Sequence, residues 1–211
     1  MKRTLYLKFV LAYFIFGFFG FIVVATFTSN MTLEHMKRER ADALYKEALL
    51  ISNSYAVDLY NSEITLESVW RQINAIDTFL DASVWIVNPS GLIVLDSSSP
   101  LDIENPSTIP NFSPTVTGSS FYTVGNFFGM FDEDMISAFA PITSQYKVKG
   151  YVIIHSSMQD LHDSCDSLLN ISYLTLLILF LLSLIILLFF TEMVYLPPVS
   201  YTHLTLPTTP Y

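Results

Sequence analysis

Cysteine, positive charge and catalytic signatures are all scarce in this chain, and each shortage removes a class of answer. Cys165 is the only cysteine among 211 residues, so no disulfide can form within the chain and any folded domain must stand on its own core. Charged residues make up 14% of the sequence, hydrophobic ones 52%, and the mean hydropathy is +0.47, on the membrane side of ordinary globular usage. Bases are fewer than acids, ten Lys and Arg against nineteen Asp and Glu. Three of the ten, Lys2, Arg3 and Lys8, precede the first apolar run, which leaves residues 30–167 with seven bases and eighteen acids. A nucleic-acid partner is excluded, because a polyanion would be repelled and no basic stripe exists to release counterions. A cationic or neutral ligand is easier to accommodate than an anionic one. The sequence holds no G-x-S-x-G, no P-loop, no H-E-x-x-H and no cysteine pair, so it carries none of the common hydrolase, nucleotide or zinc chemistries.

What the chain has instead is two long greasy runs. Residues 168–190 contain no charged side chain. At 1.5 Å rise per residue an apolar helix of about 20 residues matches a hydrocarbon layer roughly 30 Å thick. A first run extends from Phe9 to Phe27. Val23-Val24-Ala25 would pass as a signal-peptidase site, but the run exceeds the 7 to 15 residues of a signal h-region, so an uncleaved span is expected. The basic cluster before it places residues 1–8 in the cytoplasm by the positive-inside rule. Transmembrane helices are therefore expected at 9–28 and 168–191, with residues 29–167 outside the plasma membrane. Asn170, Ser172, Thr175 and Ser183 are the polar groups of the second span and would prefer to face partner helices, as in a homodimer.

Between the spans the pattern changes twice. From Asn30 to Tyr60, apolar residues including Leu44, Ala48, Ile51 and Tyr55 recur at helical spacing, interrupted only by Arg40, and no Pro or Gly breaks the chain after Phe21. A second helix is expected over 65–80, with Glu67 in its first turn and Leu66, Val69, Trp70, Ile73 and Phe79 on one face. The period then falls to two. Residues 83–87 and 92–95 read as strands joined by Asn88-Pro89-Ser90-Gly91, whose Asn, Pro and Gly suit the first, second and fourth positions of a type I turn. Both faces of these strands are apolar, which implies a sheet covered by helix on one side and partly enclosed on the other. Residues 96–120 form a Ser-rich loop with Pro100, Pro106, Pro110 and Pro114. Further strands are expected at 121–124, 135–140 and 151–155, the last two separated by a polar connection ending at Gly150, and a short helix at 158–166 leads into the second span.

Few side chains carry chemistry. His35 reads as solvated. His162, Asp163, Cys165 and Asp166 supply two metal ligands at most from one helix, and Asp132-Glu133-Asp134 lacks the spaced oxygens of a calcium loop, so no metal site and no catalytic residue are assigned. Trp85, Phe121, Tyr122, Phe127 and Phe128 are the candidate ligand-binding residues, aromatic groups able to serve as core and as the lining of an apolar pocket.

The residues 85–94, Trp-Ile-Val-Asn-Pro-Ser-Gly-Leu-Ile-Val, together with Ile136 to Ile142 and Gly150 to Ile154, resemble the strand-turn-strand and closing hairpin of the single Cache or PAS-like sensor modules of bacterial transmembrane receptors. With both spans, the resemblance covers most of residues 1–198. It implies an α+β fold: a long N-terminal helix and an antiparallel five-stranded sheet between two transmembrane helices. It also implies the input region of a sensor histidine kinase. Tyr195-Leu196-Pro197 is similar to the start of a HAMP linker, expected at 192–198. The phosphoacceptor His, the ATP and Mg sites and the contact with a response regulator would then lie in a kinase domain beyond this chain, which itself needs no cofactor. A methyl-accepting chemoreceptor, a membrane cyclic-dinucleotide enzyme and a stand-alone anchored binding module share such a front end. The stimulus would be a small extracytoplasmic ligand or a protein.

Residues 199–211 fit none of this. Beyond a cytoplasmic exit Lys or Arg is expected, and residues 192–211 contain neither. Pro207 and Pro210 also oppose the amphipathic helix that a HAMP linker requires. Written as GTC TCT TAT ACA CAT CTG ACG CTG CCG ACG, the codons of residues 199–208 resemble a transposase adapter used in preparing sequencing libraries, so 199–211 is expected to be foreign to the protein. Genomic DNA amplified from a primer upstream of the second span should diverge from this chain after Pro197 and continue into a linker; thirteen identical residues followed by a stop codon would overturn that expectation.

Overall fold

The computed structural model describes residues 2–61, 63–100, 106–117 and 120–195. The end of the expected linker and the tail 199–211 lie outside them. The chain divides into two compact units, Met1–Asn30 with Ser167–Tyr211, and Met31–Asp166. Its elements are helix α1 (Lys2–Ile51), a π-helical turn (Ser52–Ala56), α2 (Val57–Tyr60), α3 (Leu66–Leu80), strands β1 (Ser83–Val87) and β2 (Ile93–Asp96), a 3-10 turn (Pro114–Thr117), β3 (Tyr122–Gly125), β4 (Met135–Ser144), β5 (Lys147–Ser157) and α4 (Met158–Tyr195). This is the α+β class expected, with a five-stranded sheet antiparallel throughout in the order β2-β1-β5-β4-β3.

In the first unit the apolar parts of α1 and α4 pair antiparallel. Tyr13 Oη donates to Ser183 Oγ at 2.5 Å, and Tyr173 Oη reaches the Ala25 carbonyl at 3.4 Å. Between these, the Phe180 ring lies over Gly17, where a Cβ would come within 2.1 Å of it. Among the described residues two helices are long and apolar enough to cross a membrane, and 0% and 6% of their most apolar windows are buried, which is unlike the core helices of a soluble domain. Three of the four polar groups expected to face partner helices have partners within the chain. Ser183 accepts from Tyr13, while Ser172 and Thr175 donate to the carbonyls of Leu168 and Ile171 one turn back.

The second unit is built on the period of its strands. Because side chains alternate across a strand, Val84, Ile86, Ile136, Ala138, Val152 and Ile154 point to one face, while Trp85, Val87, Phe139 and Ile153 point to the other. The first face receives the helices. Ala41, Leu44, Ala48 and Ile51 of α1, and Val69 and Ile73 of α3, are buried against it, and the small Ala138 and Ala140 let the helices come close. In the π-helical turn the wide ring closes from Val57 N–H to Ser52 O, and the buried Ser52 gives its hydroxyl to the Pro141 carbonyl at 2.7 Å. Arg40, the one interruption of the stripe, is used as a clamp. Its Nη2 donates to the Leu80 carbonyl at the C-terminal end of α3 and to Ser156 Oγ at 2.8 and 2.9 Å, so its charge meets the negative pole of that helix.

Helix α3 begins at Thr65, whose Oγ1 accepts from Ser68 N at 3.3 Å, and ends at Asp81 in the left-handed region. Its buried stripe continues through Ile76 and Leu80, not through Phe79. Phe79 follows Ile73 by six residues, which rotates it roughly 120° off that stripe at 3.6 residues per turn, and it is 87% exposed.

The hairpin of β1 and β2 turns as its sequence suggests: Gly91 N donates to Asn88 O at 3.0 Å, and Asn88 Oδ1 accepts from Ser90 N and Leu92 N. Gly91 sits at φ +89, a conformation that a side chain would strain. The connection of β4 to β5 differs from expectation. It is a two-residue turn at Gln145 and Tyr146, both at positive φ, and the strands run on to meet it. Gly150 is therefore not a turn residue but a ladder residue opposite Ile142. A Cβ on Gly150 would lie 2.5 Å from the Val87 carbonyl and 2.8 Å from Tyr60 Oη. Since that carbonyl belongs to a central strand and cannot withdraw, Gly150→Ala should lower stability by about 1 to 3 kcal/mol, read as an earlier unfolding midpoint in chemical denaturation followed by tryptophan fluorescence.

Candidate functional site

The second face of the sheet is closed by loops. Residues 106–112 are pinned along the first hairpin, with Ile93 N donating to Ser107 O at 2.9 Å and Ile109 N to Gly91 O at 2.8 Å. Ile109 is thereby buried, and Phe112 packs on Tyr151 and on Phe128, with ring centroids 6.0 Å apart in both cases. The rest of the cover is the turn after β3. Gly125, Phe127, Phe128 and Gly129 all have positive φ there, Phe127 at 45° and Phe128 at 56°. Left-handed backbone costs a non-glycine residue roughly 1 to 2 kcal/mol, and two bulky side chains bear that cost in succession. The turn is held by Met130 N to Phe127 O at 3.1 Å and Phe131 N to Asn126 O at 3.2 Å. Its effect is to press the Phe127 ring into the face, 3% exposed.

Beneath that ring lies a histidine. His155 of β5 stands opposite Ser83 of β1 and Ser137 of β4 and is fully buried. Its imidazole is ringed by Trp85 and Phe127, both at 4.4 Å between centroids, and by Phe131 at 4.9 Å. Nδ1 is 2.8 Å from Ser137 Oγ, whereas Nε2 has no hydrogen-bond partner among the described residues. Burial alone lowers the His155 pKa from 6.5 to about 3, with no contribution from a charged neighbour. The ring is neutral at physiological pH. Because a serine hydroxyl both donates and accepts, the pair can exist in either tautomer, presenting Nε2 as an acceptor or as a donor.

Of the five aromatic residues picked from the sequence, the structure brings three to this face, Trp85, Phe127 and Phe128. The other two do not join them. Phe121 and Tyr122 pack on the helix side, Phe121 against Tyr45 of α1 at 4.6 Å between centroids. The residue missed was His155. Its signal was present: it is the titratable group of an otherwise apolar strand end, two places from Ile153 and four from Tyr151, and period two puts all three on one face. Among the described residues no group of three or more His, Cys, Asp and Glu side chains could hold a metal ion.

No protein-family model matches the chain, and no curated protein matches it in sequence. Solved structures are similar to it in three dimensions. The ligand-binding domain of the Campylobacter jejuni chemoreceptor Tlp3 in complex with L-norvaline is 13% identical, with a TM-score of 0.42 over 69% of this chain and 62% of that one. The sensor domain of the V. cholerae histidine kinase DctB is 14% identical, with a TM-score of 0.34 over 77% of this chain and 60% of that one. The chain thus spans about three fifths of the length of these structures.

The buried histidine predicts an acid-sensitive domain. An unfolded chain takes up the His155 proton near pH 6.5, the folded one only near pH 3, so the stabilisation is complete above pH 6.5 and is lost as pH falls between those values. The slope approaches about 1.4 kcal/mol per pH unit. Thermal melts of the chain in detergent, taken between pH 6.5 and 5 before most carboxylates titrate, should show a falling midpoint that His155→Leu flattens; equal slopes in both proteins would contradict the neutral assignment.

Proposed function

We propose that the chain is the signal-input region of a membrane-bound sensor histidine kinase, detecting a small molecule or a partner outside the membrane and passing a conformational bias along α4. The observation that carries this reading is the arrangement of the chain, an α+β sheet unit inserted between two helical segments that are apolar and unburied. The exit is direct: β5 ends at Ser157 and α4 starts at the next residue, Met158, so a change in the sheet that repositions β5 bears at once on the start of that helix. The buried, strained aromatic face is on the same strand, at His155 and Ile153. On this reading the chain acts as a homodimer, the sheet unit is extracytoplasmic, and the kinase core with its ATP and response regulator belongs to the remainder of a longer protein. The chain itself supplies binding and transmission, not catalysis. Trp85, Phe127 and Phe128 contribute to the ligand site, and Phe121 and Tyr122 contribute to the opposite face, where α1 lies.

A graft tests the transmission step. Residues 1–195 joined to a HAMP linker and kinase core, in a strain with a transcriptional reporter, should give an output that depends on helical phase. One residue inserted after Asp166 rotates the downstream helix by roughly 100° and should change reporter output severalfold, while seven inserted residues return the phase to within roughly 20° and should restore it. Output indifferent to both insertions would refute the input role.

A further inference from the structure

We propose that the face under Phe127 is a binding site for an uncharged, ring-bearing ligand with one polar group, which takes the place of the Phe127 ring and pairs with Nε2 of His155.

Three observations lead there. First, Nε2 is a buried polar atom without a partner, and an unmet hydrogen bond in a dry site costs about 1 to 3 kcal/mol. With Ser137 donating to Nδ1, an Nε2–H over the Trp85 or Phe127 ring would make only a weak contact, which a true acceptor displaces. Second, the ring that covers it is held there by a backbone under strain, at Phe127 and Phe128 in succession. Such outliers cluster at ligand clamps and switch regions, and swinging Phe127 out lets the turn relax. One aromatic ring exchanged for another conserves volume, which cores tolerate best. Both unfavourable features of this face, the unmet nitrogen and the strained turn, are relieved in the same event.

Third, the charge of the ligand follows from what is buried. Among the described residues the buried polar side chains are serines, a threonine and His155; no Asp, Glu, Lys or Arg is among them. Ion pairs among the described residues lie on α1 and α3, on the helix side of the sheet. A carboxylate or an ammonium entering this face would find no countercharge and would lose several kcal/mol of hydration. An amino acid or a dicarboxylate is therefore a poor fit, and a phenol or an indole-like compound a good one. The Ser137–His155 pair can answer either a donor or an acceptor on the ligand, so the polar group is fixed in position and not in type.

The ligand class rests on the sensor reading for its biological meaning but not for its test, which reads binding alone. The full chain in nanodiscs is titrated with 4-fluorophenol, fluorobenzene and 4-fluorobenzoate, followed by fluorine NMR. The phenol should bind about tenfold more tightly than fluorobenzene, the increment of one hydrogen bond, and the benzoate should not compete. Phe127→Ala, which opens the site, should tighten both neutral probes by about tenfold or more, and adding His155→Leu should abolish the preference for the phenol. In the unmutated chain the His155 Nε2 nitrogen resonance should shift with 4-fluorophenol and not with fluorobenzene, a readout independent of any variant's folding. Competition by the benzoate, equal binding of phenol and fluorobenzene, a preference that survives His155→Leu, or absence of binding to both the unmutated chain and Phe127→Ala would each overturn the proposal. None of these outcomes bears on the helical-phase experiment, so the sensor reading stands or falls separately.

Discussion

The pairing of β4 with β5 is the constraint on which the rest of the second unit depends. Its ladder runs from Met135 opposite Ser157 to Ser144 opposite Lys147, and β1 joins the other edge of β5. Once that register is set, period two assigns every apolar side chain of the three central strands to one of two faces, and a slip of one residue would exchange them. Both faces are greasy, so both must be covered. The simple cover, helices packed over Ala138 and Ala140, is available only on the side where the strand carries small residues. The opposite side, with Trp85, Phe139 and His155, is too bulky and irregular for a helix and is closed by loops.

That difference separates a face covered by helices from one covered by loops. The helix side is closed by α1 and α3, with Arg40 and Ser52 tying backbone carbonyls to buried side chains. Its packed stripe carries no positive-φ residue, even through the π-helical turn. Among the described residues the loop side is covered by 106–112 and by the turn at 125–131, each short and each secured by a few backbone hydrogen bonds. The same strand, β5, contributes side chains to both faces and ends at Ser157, where α4 begins.

Much of this was legible in the sequence, and the misses have definite causes. The hairpin at Asn88 to Gly91 was readable because turn chemistry is local, and the stripe of Leu44, Ala48 and Ile51 because a run of helical spacing leaves little choice of face. Phe79 was misassigned because hydrophobicity alone does not fix angle: it is apolar, but it falls off the arc set by Val69 and Ile73. Gly150 looked like turn punctuation, yet its role is to let the Val87 carbonyl and Tyr60 come close, a long-range contact that no window of sequence contains. Phe121 and Tyr122 were grouped with Trp85 because all are aromatic, while the face on which each strand residue falls depends on pairing partners far along the chain. His155 was passed over for the opposite reason. A histidine ending an apolar strand is compatible with a solvated tip, and only the loops folded over it make it the most desolvated titratable group of the site.

The charge of the domain and the neutrality of its aromatic face act at different distances. Residues 30–167 carry eighteen acids against seven bases, a field that favours the approach of cations. At physiological ionic strength this field decays within about 8 Å, and none of the described acids that generate it is buried, as in the exposed Asp132, Glu133 and Asp134 beside the turn. Entry beneath Phe127 is selected by different physics, the loss of hydration, which penalises either sign of charge in a site with no buried counterion. An acidic exterior can therefore hasten the encounter of a cationic molecule without letting it bind on this face, while a neutral ring gains nothing from the field and loses nothing on entry. Selection is left to shape and to a single nitrogen.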